Sequence, residues 1–115
     1  MCRRNVGAKW EKELQRLKAS FFKNFNEDYH QFLFKVGRYK RKSGWYLYAR
    51  DYYGRWRLIA STELPYSLFE LIFWIKRLYD YKRPKFIIDE EFNRACWDDV
   101  KKKSEEWEEV AKECG

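Results

Sequence analysis

Residues 44–60 read Gly44-Trp45-Tyr46-Leu47-Tyr48-Ala49-Arg50-Asp51-Tyr52-Tyr53-Gly54-Arg55-Trp56-Arg57-Leu58-Ile59-Ala60, two alternating runs separated by an Asp-Tyr-Tyr-Gly segment. Because successive side chains of a strand point to opposite faces, this alternation predicts a β-hairpin. The predicted core face carries Trp45, Leu47, Ala49, Trp56, Leu58 and Ala60. The predicted outer face carries Tyr46, Tyr48, Arg50, Tyr52, Arg55, Arg57 and Ile59.

Two loop lengths preserve this division of the faces. A two-residue loop at Tyr53-Gly54 pairs position 50 with 57, and a four-residue loop at 51–54 pairs position 50 with 55. In both registers Arg50 lies opposite another arginine, and like charges directly opposite each other destabilise a sheet. A surface that places this repulsion among aromatic rings is suited to an anion, which we interpret as nucleic acid.

The length of 115 residues indicates one small domain, and we interpret residues 1–115 as a single nucleic-acid-binding unit. The sequence has no apolar run of about 18 residues, and its first residues lack the apolar region of a secretory signal. The three cysteines, Cys2, Cys96 and Cys114, are scattered along the chain. This pattern favours free thiols over a disulfide framework, so we expect a cytoplasmic protein.

Charge is unevenly distributed. Residues 1–62 contain 15 Lys and Arg against 5 Asp and Glu, a net charge of +10, whereas residues 63–115 contain 10 against 13, a net charge of −3. Residues 29–58 combine 8 basic residues with 10 of the 24 aromatic residues and a single acid, Asp51. Basic and aromatic character therefore coincide in the predicted sheet, which a merely solvated surface would not require.

Apolar spacing predicts the other elements. We expect helices at about residues 8–25, 67–81 and 89–113, and strands at about 30–37, 45–52 and 55–61. Ser67-Leu68-Phe69-Glu70 matches the capping-box pattern, and Asp89 is suited to cap the last helix. The predicted architecture is an α+β fold, an antiparallel three-stranded meander packed on one face by helices. Residues 85–88, Lys-Phe-Ile-Ile, have the composition of a short edge strand.

The last predicted helix carries apolar or small residues at heptad spacing, namely Trp97, Val100, Ser104, Trp107, Ala111 and Cys114. Spacings that alternate between three and four residues form a seam along one helix face. We expect this seam to pack against the body of the domain. The alternative is a homodimer through the helix at 93–114.

The sequence contains no recognised catalytic arrangement. One histidine, His30, and three dispersed cysteines do not form a metal site of known spacing, and the phosphate-binding and nucleophile-elbow motifs are absent. We therefore predict a non-enzymatic protein without metal or cofactor. One enzyme class stays open, a metal-free RNase like the small RelE-type toxins, which use Arg, Lys, Tyr or His. Those toxins usually place a strand before the helices, whereas this chain opens with a helix.

The predicted outer face combines the two components that hold single-stranded nucleic acid, namely aromatic rings for bases and cations for phosphates. Tyr46, Tyr48 and Tyr52 are the predicted stacking residues, and Arg50, Arg55 and Arg57 the predicted phosphate contacts. Lys40, Arg41 and Lys42 are a secondary electrostatic contact. We expect binding to single-stranded DNA or RNA with low sequence specificity, duplex remaining possible, and no contact with membranes.

Two alternatives compete for the same residues. The tyrosines could pack beneath the acidic C-terminal helix, since residues 89–115 carry a net charge of −5. Alternatively, the chain is a protein-interaction module of viral or plasmid origin that uses the aromatic face or the acidic helix.

Residues 45–80 resemble single-stranded-DNA-binding domains of the positive cofactor 4 type. The resemblance consists of a strand ending in Arg50-Asp51-Tyr52-Tyr53, a basic strand through Trp56, and a serine-capped helix with Phe69, Trp74 and Ile75. It implies a dimer with a curved sheet whose aromatic and basic residues hold the strand. The family's lysine-glycine approach to the helix is absent. Thermophilic archaeal single-stranded-DNA-binding proteins outside the OB-fold class are a looser analogue.

Residues 41–58 also resemble the arm-binding domain of phage-type integrases, which implies a three-stranded sheet in the major groove of duplex DNA. The α-β-β-β-α order is similar to that of double-stranded-RNA-binding domains, but their basic motif at the start of the last helix is missing. These resemblances differ about strandedness and agree on nucleic acid.

Overall fold

A computed structural model describes residues 7–24, 33–38, 44–51 and 53–114. Within these residues the chain forms an α+β fold of three α-helices and four strands, together with a 3₁₀ turn at Asp80–Lys82. In chain order the elements are α1 (Ala8–Asn24), β1 (Leu33–Arg38), β2 (Trp45–Arg50), β3 (Trp56–Thr62), α2 (Pro65–Leu78), β4 (Lys85–Ile88) and α3 (Glu90–Cys114). In these residues no helix combines the length and apolar character that crossing a membrane requires.

The four strands form one mixed sheet in the order β3-β2-β1-β4. β1, β2 and β3 pair antiparallel, whereas β4 pairs parallel with β1. The prediction of a purely antiparallel three-stranded sheet is therefore wrong. The chain leaves the sheet at the β3 edge, continues through α2 and re-enters beside β1, and a crossover of this kind is what parallel pairing requires.

The helices form a second layer on one face of the sheet. α1 packs against α2 and β3, α2 against α3, and α3 against β1. Side chains from all three helices join the buried strand residues in one core, which includes Leu17, Phe21, Phe34, Leu47, Leu71, Ile75 and Phe92. The opposite face of the sheet, which we call the outer face, carries the alternate residues of each strand.

The N-terminus of α2 differs from the predicted capping box. The helix begins at Pro65, whose ring presets the backbone angle of a first helical residue. Ser67 is fully buried, and its hydroxyl donates a hydrogen bond to the carbonyl of Trp10 at 2.9 Å. The Asp99 carboxylate instead accepts from the backbone N–H of Tyr66 at 3.1 Å. An acidic side chain of α3 thus satisfies a donor in the first turn of α2.

The N-terminus of α3 agrees with the prediction. The Asp89 carboxylate accepts a hydrogen bond from the backbone N–H of Glu91 at 2.8 Å, which is the geometry of an N-cap.

β2 and β3 pair in two registers separated by a β-bulge. On the side of the bulge away from the turn, Leu47 lies opposite Ala60, and on the side nearer the turn Tyr48 lies opposite Leu58. Ile59 is therefore the extra residue of the bulge. Arg50 lies opposite Trp56 and closes a connection of residues 51–55, which is neither of the predicted loops. Compared with a loop of even length, the five-residue connection moves the pairing of β2 and β3 by one residue. The bulge at Ile59 moves the pairing back by one residue for the part of the hairpin beyond Leu47.

This bulge changes the predicted faces of β3. Leu58, expected in the core, is 49% exposed, whereas Ile59, expected on the outer face, is 1% exposed. Trp56 pairs with Arg50 and lies on the outer face as well. The core assignments of Leu58 and Trp56 are therefore wrong, and those of Trp45, Leu47, Ala49 and Ala60 are confirmed.

α3 packs against the domain through a different stripe from the predicted seam. Its buried residues are Phe92, Cys96, Asp99 and Val110. Trp97 and Trp107 of the predicted seam are 75% and 56% exposed, so the expectation that this seam packs against the domain is wrong. The Phe92 ring lies 5.3 Å from that of Trp45, a core-face residue, which places this end of α3 on the helical side of the sheet rather than over the tyrosines.

Candidate nucleic-acid interface

The outer face carries aromatic, aliphatic and basic side chains. Alternation with the buried strand residues places these nine side chains on it: Lys35, Tyr46, Tyr48, Arg50, Trp56, Leu58, Ser61, Lys85 and Ile87. None of these strand positions carries an acidic side chain, and the described helices lie on the other side of the sheet. The face is therefore cationic and partly apolar.

Aromatic rings occupy the centre of the outer face. The rings of Tyr46 and Tyr48 stack at 6.2 Å between centroids, with 28° between their planes. Lys35 extends from β1 across the sheet, and its Nζ lies 5.5 Å from the Tyr48 ring and 4.4 Å from the Trp56 ring. These are cation–π distances, so a positive charge is held between two aromatic surfaces.

Arg50 lies at the hairpin end of the outer face. Its Nε donates a hydrogen bond to the carbonyl of Gly54 at 3.2 Å. Its cross-strand neighbour is Trp56, so the predicted pair of opposing arginines does not exist. The positive character of this face therefore comes from its net charge and not from two arginines in direct opposition.

The connection that follows Arg50 is organised by the Asp51 carboxylate. Its Oδ1 accepts hydrogen bonds from the backbone N–H groups of Tyr53 and Arg55 at 2.9 and 2.8 Å. Its Oδ2 lies 3.5 Å from the Arg55 Nε and 3.4 Å from the Arg57 Nε. Burial raises the pKa of Asp51, but these backbone hydrogen bonds and the two guanidinium charges outweigh that effect and lower its pKa below the ordinary value.

Arg55 and Arg57 therefore form a cluster with Asp51 at the end of the hairpin, with a net charge of +1. Arg57 lies opposite Ala49, so it does not share the outer face with Tyr48 as predicted. Both guanidinium side chains remain mostly exposed, at 70% and 62%. They are oriented by Asp51 and still accessible to a phosphate that passes the end of the sheet.

The structure brings together only part of the predicted site. Tyr46, Tyr48 and Arg50 share the outer face, and Arg55 and Arg57 lie beside its end. Tyr52 and the basic loop of Lys40, Arg41 and Lys42 lie outside the described residues, as does His30.

Several outer-face residues, among them Lys35, Trp56 and Leu58, were absent from the predicted site. Lys35 could have been found, because it alternates with the core residues Phe34 and Val36 in β1. Trp56 and Leu58 could not have been found, because their positions depend on a bulge that no residue of the hairpin sequence predicts.

Comparisons with protein-family models, curated proteins and solved structures return no match. The chemistry of the outer face is therefore the basis for a functional assignment.

Proposed function

We propose that this protein binds single-stranded DNA or RNA, with low sequence specificity, across the outer face of its sheet. The observation that supports this most is the placement of Tyr46, Tyr48 and Trp56 with Lys35 and Arg50 on a face without acidic strand residues. Unpaired bases can stack on the rings, and each such contact is worth about 1–3 kcal/mol.

The phosphates are neutralised by the cations at the borders of the aromatic cluster. Lys35 and Arg50 lie beside the rings, and Arg55 and Arg57 extend the positive surface past the hairpin end. Contacts with three or four phosphates give a slope of about −2 to −3 in a plot of log affinity against log salt concentration, at about 0.7 per phosphate. Sequence specificity stays low because neither stacking nor phosphate contact distinguishes the bases.

Single strands are favoured over duplex because the site offers ring faces. In a duplex the base faces are already stacked on each other, and only the backbone and the groove edges remain accessible. An oligonucleotide of unpaired bases can use both the rings and the cations, whereas a duplex uses the cations alone.

The test is fluorescence anisotropy with labelled oligo-dT, oligo-rU and a duplex of equal length at about 50 and 200 mM salt. We expect the Tyr48→Ala, Arg50→Ala double variant to bind the single strands at least tenfold more weakly, because it loses one stacking ring and one cation. Circular dichroism checks that the variant is folded.

A matched control is available outside the sheet. Tyr81 is exposed, and the Lys82 Nζ lies 5.7 Å from its ring, so this pair repeats the tyrosine–cation chemistry of the site. The Tyr81→Ala, Lys82→Ala variant removes the same charge and should bind as wild type does. Equal binding by the Tyr48 variant and wild type would show that the outer face is not the site.

The same assay separates the alternative functions. Cleavage of oligo-rU without added metal would indicate a metal-free RNase. No binding to any probe at low salt would favour a protein partner for the aromatic face.

A further inference from the structure

α3 carries two heptad-spaced stripes, and only one of them packs against its own domain. The buried stripe runs through Phe92, Cys96 and Asp99. We call the other stripe the exposed seam, and its residues are Trp97, Val100, Ser104, Trp107 and Ala111. Its two tryptophans are 75% and 56% exposed, a large apolar area to leave in water along one helix face.

We propose that the exposed seam is the interface of a homodimer in which two copies of α3 pack antiparallel. The seam residues are separated alternately by three and four positions, which is the spacing that keeps one stripe facing a partner helix. α3 has 25 residues, about 37 Å, so the seam can extend over several helical turns.

The sizes of the seam residues favour the antiparallel arrangement. A two-fold axis near the middle of the seam places Ser104 opposite the Trp107 of the second copy and Val100 opposite its Ala111. Both layers combine a larger side chain with a smaller one, which fills the space evenly. A parallel pair would instead place tryptophan against tryptophan and serine against serine.

The charges beside the seam favour the same arrangement. Lys101 and Glu108 occupy the same flank of the seam, one heptad apart. An antiparallel pair places Lys101 of each copy beside Glu108 of the other, so the two-fold axis generates two opposite-charge contacts. On the other flank, the Lys103 Nζ lies 5.2 Å from the Tyr66 ring of its own domain, so this lysine has an intramolecular role.

Another exposed apolar surface among the described residues is a groove between α1 and α2, whose lining includes Leu14, Phe69, Phe73, Trp74 and Leu78. Phe73 is 56% exposed, the same fraction as Trp107. It therefore provides a matched control, a bulky exposed aromatic residue on a different helix face.

The first experiment is sedimentation velocity of the full chain up to about 100 μM. We expect a dimer for the wild type and for Phe73→Glu, and a monomer of unchanged helical content for the Trp97→Glu, Trp107→Glu double variant. A monomeric wild type would overturn the proposal. So would dissociation by Phe73→Glu with a dimeric tryptophan variant, because the interface would then be the groove.

The second experiment tests the orientation. Lys101→Glu converts both opposite-charge contacts into like-charge contacts, and we expect the dimer dissociation constant to rise about tenfold. The double variant Lys101→Glu, Glu108→Lys exchanges the charges and should restore the wild-type constant. In a parallel pair residue 101 does not meet residue 108, so failure of the exchange to restore dimerisation would refute the antiparallel arrangement.

Discussion

The bulge at Ile59 can be tested by comparing two leucines of the same hairpin. Leu58 and Leu47 are on adjacent strands, but Leu58 is 49% exposed on the outer face and Leu47 is fully buried in the core. Fully burying a leucine contributes about 1.5–3 kcal/mol, so half-burial contributes roughly half of that. Leu58→Ala should therefore lower the free energy of unfolding by about 1 kcal/mol, and Leu47→Ala by about 2–5 kcal/mol.

The measurement is urea unfolding followed by tryptophan fluorescence, with both variants compared with the wild type. Leu58→Lys adds a sharper criterion, because a lysine on the outer face can extend into water while in a core it would prevent folding. It should fold and, if the proposed function holds, bind oligo-dT more tightly and with a steeper salt dependence. A Leu58→Ala loss as large as that of Leu47→Ala would mean that Leu58 is a core residue and that the register has no bulge.

The remaining predictions concern Asp51, Gly54 and Cys96. Because the folded pKa of Asp51 is lowered, the carboxylate stabilises the protein above the unfolded pKa of about 3.9, and this contribution is lost as the pH falls through the lower folded pKa. The unfolding free energies of wild type and Asp51→Asn should therefore converge in acid. A constant difference between them would contradict the assigned ion pairs. Asp51→Asn also removes the charge beside Arg55 and Arg57, so at neutral pH anisotropy should report tighter oligo-dT binding, and weaker binding would contradict phosphate contacts by these arginines. Gly54 has φ +83°, and an added Cβ would lie 3.4 Å from an Arg50 guanidinium nitrogen, so Gly54→Ala should cost about 1 kcal/mol in urea unfolding, and no cost would contradict this turn geometry. Burial, followed by the charge of Asp99, raises the pKa of the Cys96 thiol to about 12. In a Cys2→Ser, Cys114→Ser chain iodoacetamide should therefore label Cys96 only on unfolding, and rapid labelling of the folded chain would contradict its burial. The free energy of unfolding should also fall as the pH rises above the unfolded thiol pKa of about 8.5.

Local patterns in the sequence were sufficient for most elements of the fold. The alternation of Trp45, Leu47 and Ala49 predicted the core face of β2, and the Asp89 cap marked the start of α3 within one residue. The position of β4 could not be predicted this way, because Lys-Phe-Ile-Ile carries no information about which strand it joins. Its parallel pairing with β1 depends on where α2 ends after it has crossed the sheet.

α3 shows why a hydrophobic pattern can identify a helix and still misplace its buried face. The exposed seam contains two tryptophans, so it is the more apolar of the two stripes in the sequence. The buried stripe includes Asp99, whose carboxylate accepts the Tyr66 N–H at the start of α2. A polar residue required for capping weakens the hydrophobic signal of the stripe that contains it, and the tryptophan stripe then dominates the pattern.

The β-bulge is the point at which the fold determines the composition of the candidate site. If the register beyond Leu47 continued unchanged to the turn, Ile59 and Arg57 would lie on the outer face, and Trp56 would not. The extra residue instead buries Ile59 and places Trp56 within 4.4 Å of the Lys35 Nζ, which completes an aromatic and cationic cluster on three adjacent strands. Bulges are over-represented at sheet edges and next to active sites, where they re-aim a side chain. The odd-length connection, the bulge and the position of Trp56 are therefore one structural arrangement, and a variant that removes the bulge should change both the core and the outer face.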